Sequence, residues 1–146
     1  MMVYLDSSAL VKCYGEEAGA LETIELIEAA EMVATSLVTR VEVASALARA
    51  VHRGILAPEA GREAFRAFSD EARALIQMPV SERVLSRAEA FVWDYGLRGY
   101  DAVQLASAVS WQERVGRPVT LATFDTRLAA AAQQIQLAVW PEPPGS

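Results

Sequence analysis

The sequence predicts an α/β domain: a parallel sheet covered by helices on both faces. Short apolar runs alternate with longer stretches whose apolar residues recur at helical spacing, and turn residues stand at the joins. Strands alternating with helices imply crossover connections, the way parallel strands are joined. The chain has 146 residues, 53% hydrophobic and 22% charged, enough to bury the core that such a sheet needs. Residues 1–140 are expected to form one domain with no internal repeat or linker. Residues 141–146, PEPPGS, are too proline-rich to pack and are expected to be a flexible tail.

Each element follows from period and punctuation. Residues 2–5 are a short apolar run ending at Asp6, a buried strand that feeds a helix over 8–13, and Gly15 breaks that helix. Over 18–30, Leu21, Ile24, Ile27 and Ala30 recur near helical spacing with Glu22, Glu25 and Glu28 between them, so this helix should pack by one face. Residues 32–35 read as the second strand, and Ser36 as the N-cap of a long helix that runs to about His52 and stops at Gly54. Pro58 opens the next helix, with Phe65, Phe68, Ala72 and Leu75 on one stripe and Arg62, Arg66, Asp70 and Arg73 largely elsewhere. Residues 76–80 are the third strand. Ser81 then caps a helix carrying Val84, Ala88, Phe91 and Tyr95 on one face and ended by Gly96. A helix over 101–115, a strand within 118–123, an alanine-rich helix over 126–135 and a last strand over 137–140 complete the pattern.

Composition removes several classes of function. No apolar run approaches the roughly 20 residues needed to span a bilayer. Asp6 also interrupts the segment that a secretory signal would keep apolar, so a cytoplasmic location is expected. One cysteine, Cys13, cannot form an intrachain disulfide, and with one histidine, His52, it is too small a set for a structural zinc site. A metal here must be held by oxygen. Thirteen basic against nineteen acidic residues give a net charge of -6, which argues against broad attraction of nucleic acid to a basic surface. Twelve of the thirteen cations are arginine, suited to forked phosphate contacts, so a local basic rim is compatible with an acidic whole.

Four carboxylates carry the chemistry. Ligands of open parallel sheets collect outside the C-terminal strand ends. Asp6 closes the first strand there, Asp125 follows the fourth, and Asp101 opens the helix after Leu97-Arg98-Gly99-Tyr100. Aspartate is also a favoured N-cap at any strand-to-helix turn, so capping alone accounts for each of these singly. Glu42 differs. Its helical neighbours at i±3 and i±4 are Val38, Thr39, Ser45 and Ala46, none of them a cation, so it lies along the helix margin or turns into an electronegative pocket. If the four meet, each pair of charges about 4 Å apart costs on the order of 4 kcal/mol at an effective dielectric near 20. A divalent cation relieves this without loss of charge, and oxygen-only ligation suits Mg²⁺ or Mn²⁺. Carboxylate-held metals are the known arrangement for in-line attack at a phosphodiester.

The segments YLDSSALVKCY, TRVEVASALARA, LRGYDAVQLASA and TFDTRLAAAA, in that order from residue 4 to 132, resemble the motifs of the PIN-domain family, specifically its VapC-like toxin ribonucleases. The resemblance implies a three-layer α/β/α sandwich with a central, mostly parallel sheet, and a Mg²⁺- or Mn²⁺-dependent endoribonuclease. It carries the family's acidic quartet onto Asp6, Glu42, Asp101 and Asp125, with Asp6 and Asp101 as direct ligands, Glu42 direct or through water, and Asp125 through water or on a second, substrate-recruited ion. The hydroxyl of Ser7, after the first aspartate, and that of Thr123, two residues before the last, would orient carboxylates and waters. The family often has a further acidic residue shortly after the last motif aspartate. This chain departs from that pattern, with Thr126 and Arg127 there. The same resemblance implies an RNA substrate, a homodimer and a cognate antitoxin whose segment lies in a groove. The helices over 21–30 and 60–75 are candidate walls of that groove, or plain core.

Two other functions compete. An aspartyl-phosphate receiver or dehalogenase-like phosphatase also sets aspartates at strand ends with Mg²⁺, but usually needs a lysine after a late strand, and the only lysine is Lys12. A noncatalytic PIN-fold binding module is the other. Trp93 and Trp111 sit at core spacing and read as core, His52 reads as a partner of its helix C-terminus, and Lys12, Arg98 and Arg127 are candidates for phosphate contact or ordinary solvated charge.

Overall fold

The computed structural model describes residues 1–15 and 17–145. Its strands are β1 (Met2–Leu5), β2 (Met32–Ser36), β3 (Ile76–Met78), β4 (Val119–Ala122) and β5 (Ala138–Trp140). Its helices are α1 (Ser7–Lys12), α2 (Ala20–Ala29), α3 (Thr39–His52), α4 (Pro58–Ala72), α5 (Glu82–Tyr95), α6 (Gly99–Val115) and α7 (Thr126–Gln134). All strand pairs are parallel, in one sheet of order β3-β2-β1-β4-β5.

β1 is the central strand and is buried at every position, as a strand covered on both faces requires. Successive side chains point to opposite faces. Met2 and Tyr4 join Val84 and Ala88 of α5, Leu105 and Trp111 of α6 and Leu128 of α7 in one core. Val3 and Leu5 join Leu10 of α1, Val43 and Leu47 of α3 and Phe68 of α4 in the other. The result is the three-layer α/β/α sandwich expected.

From β1 the chain steps outward to β2 and β3, then returns across β1 to β4 and β5. The order therefore reverses between β1 and β4, and their C-terminal ends form the crevice where α/β folds place their ligands. Asp6 follows one of these strands and Thr123 the other, and the backbone N–H of Asp6 donates to the Ala122 carbonyl at 3.1 Å.

Several expectations are corrected in detail. Ser36 is the last residue of β2, paired with Met78, rather than a helix cap. Its hydroxyl accepts the Val38 N–H at 3.2 Å, and α3 begins without a side-chain cap. The third strand stops at Met78, before Pro79. α6 begins at Gly99, so Asp101 lies in its first turn and does not open it. On α2, Leu21 (65% exposed) and Ile24 (38%) stay outside the core, while Leu26, Ile27 and Ala30 pack inward. Trp93 is 88% exposed, because the inward stripe of α5 is taken by Val84, Ala88, Phe91 and Tyr95 and Trp93 points away from it. Trp111 is core, as expected. Residues 141–145 form no helix or strand, and Ser146, the end of the expected tail, lies outside the described residues. Among the described residues no helix is long and apolar enough to cross a membrane.

Candidate active site

Asp6 is 2% exposed and serves two purposes. It is the N-cap of α1, its Oδ1 accepting the Ala9 N–H at 3.1 Å, and the same oxygen accepts the Ser8 hydroxyl at 2.6 Å. Its Oδ2 accepts the Thr123 hydroxyl at 2.8 Å. The Ser8 and Thr123 oxygens in turn accept the N–H groups of Phe124 (2.8 Å) and Asp125 (3.0 Å), which fastens the loop after β4 to the end of β1. Burial lifts the Asp6 carboxyl to about 6, and the charge of Glu42 adds to the lift, while the hydrogen bonds from Ser8, Thr123 and Ala9 oppose it.

Glu42, in the first turn of α3, has its partner on another helix. Gln104 of α6 donates Nε2–H to Glu42 Oε1 at 2.7 Å and to Thr39 Oγ1 at 2.9 Å. The Tyr4 hydroxyl donates to Gln104 Oε1 at 2.7 Å. Asp125 caps α7, its Oδ1 accepting the Leu128 N–H at 3.0 Å. Asp101 sits three residues before Gln104 on α6 and caps nothing. Burial raises its carboxyl above the ordinary carboxylate range, the charges of Asp125 and Glu42 raise it further, and Arg98 lowers it. Arg98 lies over this pair, 3.6 Å from Asp101 Oδ2 and 4.0 Å from Asp125 Oδ2, with 76% of its side chain exposed.

Asp6, Glu42, Asp101 and Asp125, brought from four distant segments, line one cleft of about 1130 Å³. Each lies at the N-terminal turn of a helix, α1, α3, α6 or α7, where the positive end of the helix dipole offsets part of the carboxylate charge. Arg49, Arg98 and Tyr100 line the same cleft and add positive charge and a ring. Among the described residues, no three Asp, Glu, His or Cys side chains stand close enough together to chelate an ion as they are. The four share that cleft, with Arg98 over two of them and hydroxyl groups on a third. The donors, all carboxylate oxygens, suit a hard divalent cation.

The Thr123 hydroxyl stands on Asp6, and the other hydroxyl there belongs to Ser8; Ser7 lines the cleft beside it. Sequence reasoning missed Ser8, Gln104 and Tyr4. Gln104 carried a readable signal, since it lies at i+3 from Asp101 on the same helix face. Lys12 is engaged elsewhere, 3.5 Å from Glu17 and 5.0 Å over the Phe124 ring.

The sequence pattern of the PIN domain matches residues 3–134 of this chain. The chain belongs to the PIN-domain family. The match runs from β1 through α7 and spans all four carboxylates. This PIN domain is 32% identical over 132 residues to ribonuclease VapC45 of Mycobacterium tuberculosis (strain CDC 1551 / Oshkosh), covering 90% of this chain and 89% of the relative. The same figures hold for ribonuclease VapC49 of Mycobacterium tuberculosis (strain ATCC 25618 / H37Rv). Among solved PIN-like structures, it resembles Mycobacterium tuberculosis VapC20, a sarcin-ricin loop cleaving toxin, with a TM-score of 0.68 at 17% identity over 88% of this chain and 94% of that one. A toxin-antitoxin complex from Klebsiella pneumoniae matches with a TM-score of 0.62 at 20% identity, over 85% and 87% of the two chains. These two likenesses concern the fold.

Proposed function

We propose that this PIN domain is an endoribonuclease, the toxin of a toxin-antitoxin pair, and that it cuts RNA with a divalent cation, Mg²⁺ or Mn²⁺, held in the carboxylate cleft. The observation that carries the reading is the gathering of Asp6, Glu42, Asp101 and Asp125 into one cleft at the β1/β4 crevice. The names of the relatives at 32% identity, both ribonucleases, support it. Asp6 and Asp101 would hold the cation directly, with Glu42 direct or through water and Asp125 through water or on a second ion. When bound, the cation would activate a water for attack on the phosphodiester and steady the leaving oxygen.

The chain's own residues do the rest. Ser8 and Thr123 fix the Asp6 carboxylate, and Gln104 fixes Glu42. Arg98, exposed beside Asp101 and Asp125, is placed to exchange its carboxylate contacts for a substrate phosphate, and Arg49 lines the same cleft. Homodimerisation fits the apolar residues left exposed on α3 and α5, Val41 (60%), Leu85 (38%) and Trp93 (88%). An antitoxin segment fits a second groove where Ile24 and Ile27 of α2 face Ala60, Ala64 and Ala67 of α4. A cytoplasmic location accords with an RNA substrate. The phosphatase alternative loses support because Lys12 is engaged away from Asp6.

Purified protein freed of any inhibitor should cut RNA with added Mg²⁺ or Mn²⁺ and stop when EDTA is added. Asp6→Asn should lower the rate by more than about 100-fold while the circular dichroism spectrum is unchanged. Cutting by Asp6→Asn at the parent rate would overturn the reading.

A further inference from the structure

Gln104 is 0% exposed, and its carboxamide is bound on every side by groups whose donor or acceptor role is forced. The Leu5 carbonyl can only accept. The Thr35 hydroxyl therefore donates to it, at 2.7 Å, and spends its single proton there. In the 2.8 Å contact between Thr35 and Thr39, Thr39 must then be the donor. Thr39 Oγ1 is left to accept, and it does so from Gln104 Nε2 at 2.9 Å. The second Nε2 proton goes to Glu42 Oε1 at 2.7 Å, and the amide oxygen takes the Tyr4 hydroxyl at 2.7 Å.

The circuit thus runs one way, from Tyr4 through Gln104, Thr39 and Thr35 to the carbonyl of Leu5, the residue next to Asp6 in β1. Tyr4, Thr35, Thr39 and Gln104 are each at most 2% exposed, so water cannot stand in for a lost partner. Turning the amide over would set its oxygen against the Glu42 carboxylate and its N–H₂ against the Tyr4 hydroxyl proton. Among the described residues, the circuit meets the cleft at Glu42, through Oε1. Among the described residues, Glu42 Oε2 receives no hydrogen bond from the protein.

We propose that Gln104, its carboxamide oriented by the Tyr4 hydroxyl, is the positioning residue for Glu42: it occupies one carboxylate oxygen and leaves the other for a cation in the cleft. The inference rests on the proposed function, and it goes further by assigning the aim of Glu42 to a buried amide on α6 and a phenol on the central strand. Tyr4 acts at two removes, through Gln104, and touches no substrate.

The test separates aim from stability. Gln104→Met keeps the volume but takes the acceptor from the buried Tyr4 hydroxyl, leaving it Ser107 and Ser36 as neighbours, so it should lower both the thermal midpoint measured in EDTA and the Mn²⁺ affinity measured by titration calorimetry without RNA. Tyr4→Phe/Gln104→Met removes that displaced hydroxyl as well. It should recover most of the thermal midpoint while binding Mn²⁺ about 10- to 100-fold more weakly than the parent, the range typical for lost supporting partners of a metal ligand. Tyr4→Phe alone deletes one oxygen and should weaken Mn²⁺ binding several-fold with a small change in midpoint. If the double variant and Tyr4→Phe both bind Mn²⁺ as tightly as the parent, the positioning role is wrong and the circuit serves the fold alone. If the parent itself neither binds Mn²⁺ nor cuts RNA, it is the proposed function that fails, and the inference with it.

Discussion

Asp6 carries a cost in the folded protein that a cation would lift. Its carboxyl is raised to about 6, mainly by burial, from an unfolded value near 4. The native state therefore holds the Asp6 proton more tightly than the unfolded chain does. This contribution to stability is fully present below about pH 4 and is lost as the pH rises through about 6, a change of about 3 kcal/mol in all. In EDTA at pH 7.5, Asp6→Asn should accordingly raise the thermal midpoint, on the order of 5 °C, and the gain should vanish near pH 4. A midpoint lowered equally at both pH values would show that Asp6 acts as a cap and nothing more. Protons and cation compete for the same oxygens, so Mn²⁺ affinity should also fall as the pH drops through about 6, followed by calorimetry. The positions of the four carboxylates were readable in the sequence because each sits at a strand end or stands without a local cation. Asp6 and Asp125 each cap a helix and also line the cleft, so capping and a place in the site are compatible. The role of Ser8 was not readable, because a hydroxyl two residues past a cap looks like an ordinary polar residue until another element faces it, and the spacing of Gln104 from Asp101 gave its helix face but not the glutamate it meets.

Hydrophobic period located every strand and helix of the described residues, since a buried strand and a half-buried helix each leave their own spacing in the sequence. It failed where tertiary contact decides. Leu21 and Ile24 have helical spacing but lie on the side of α2 away from the core, and the N-terminus of α3 yields Ser36 to the sheet. Gly19, at the start of α2, shows such a contact at work. It adopts φ +94°, and a Cβ there would stand 2.9 Å from Cζ of Phe124, the residue between Thr123 and Asp125. Gly19→Ala should therefore lose stability by about 1–2 kcal/mol from the left-handed backbone alone, with more from the ring. Thermal unfolding checks this, and an unchanged midpoint would mean the loop repacks without strain. By contrast Ser81→Ala, which removes only the hydroxyl accepting the Val84 N–H at 3.2 Å, should cost about 1 kcal/mol and leave RNA cleavage unaltered.

On the scale of the whole molecule, a chain of net charge -6 concentrates five carboxylates, the quartet and Glu89, in one crevice and sets four helix N-termini and two arginines against the quartet. Alternation of strands and helices announced a parallel sheet. The strand order that makes β1 and β4 neighbours does not follow from alternation, and it is this order that joins residue 6 to residues 123–125. The distances among the carboxylates were likewise beyond the sequence, because they depend on how repulsion and the guanidinium of Arg98 settle within the cleft. Anomalous scattering from crystals grown with Mn²⁺ is the most direct test. The account predicts a peak in the cleft within coordination distance of Asp6 and Asp101; a crystal of active enzyme with no peak there, or with its manganese bound elsewhere, would contradict it.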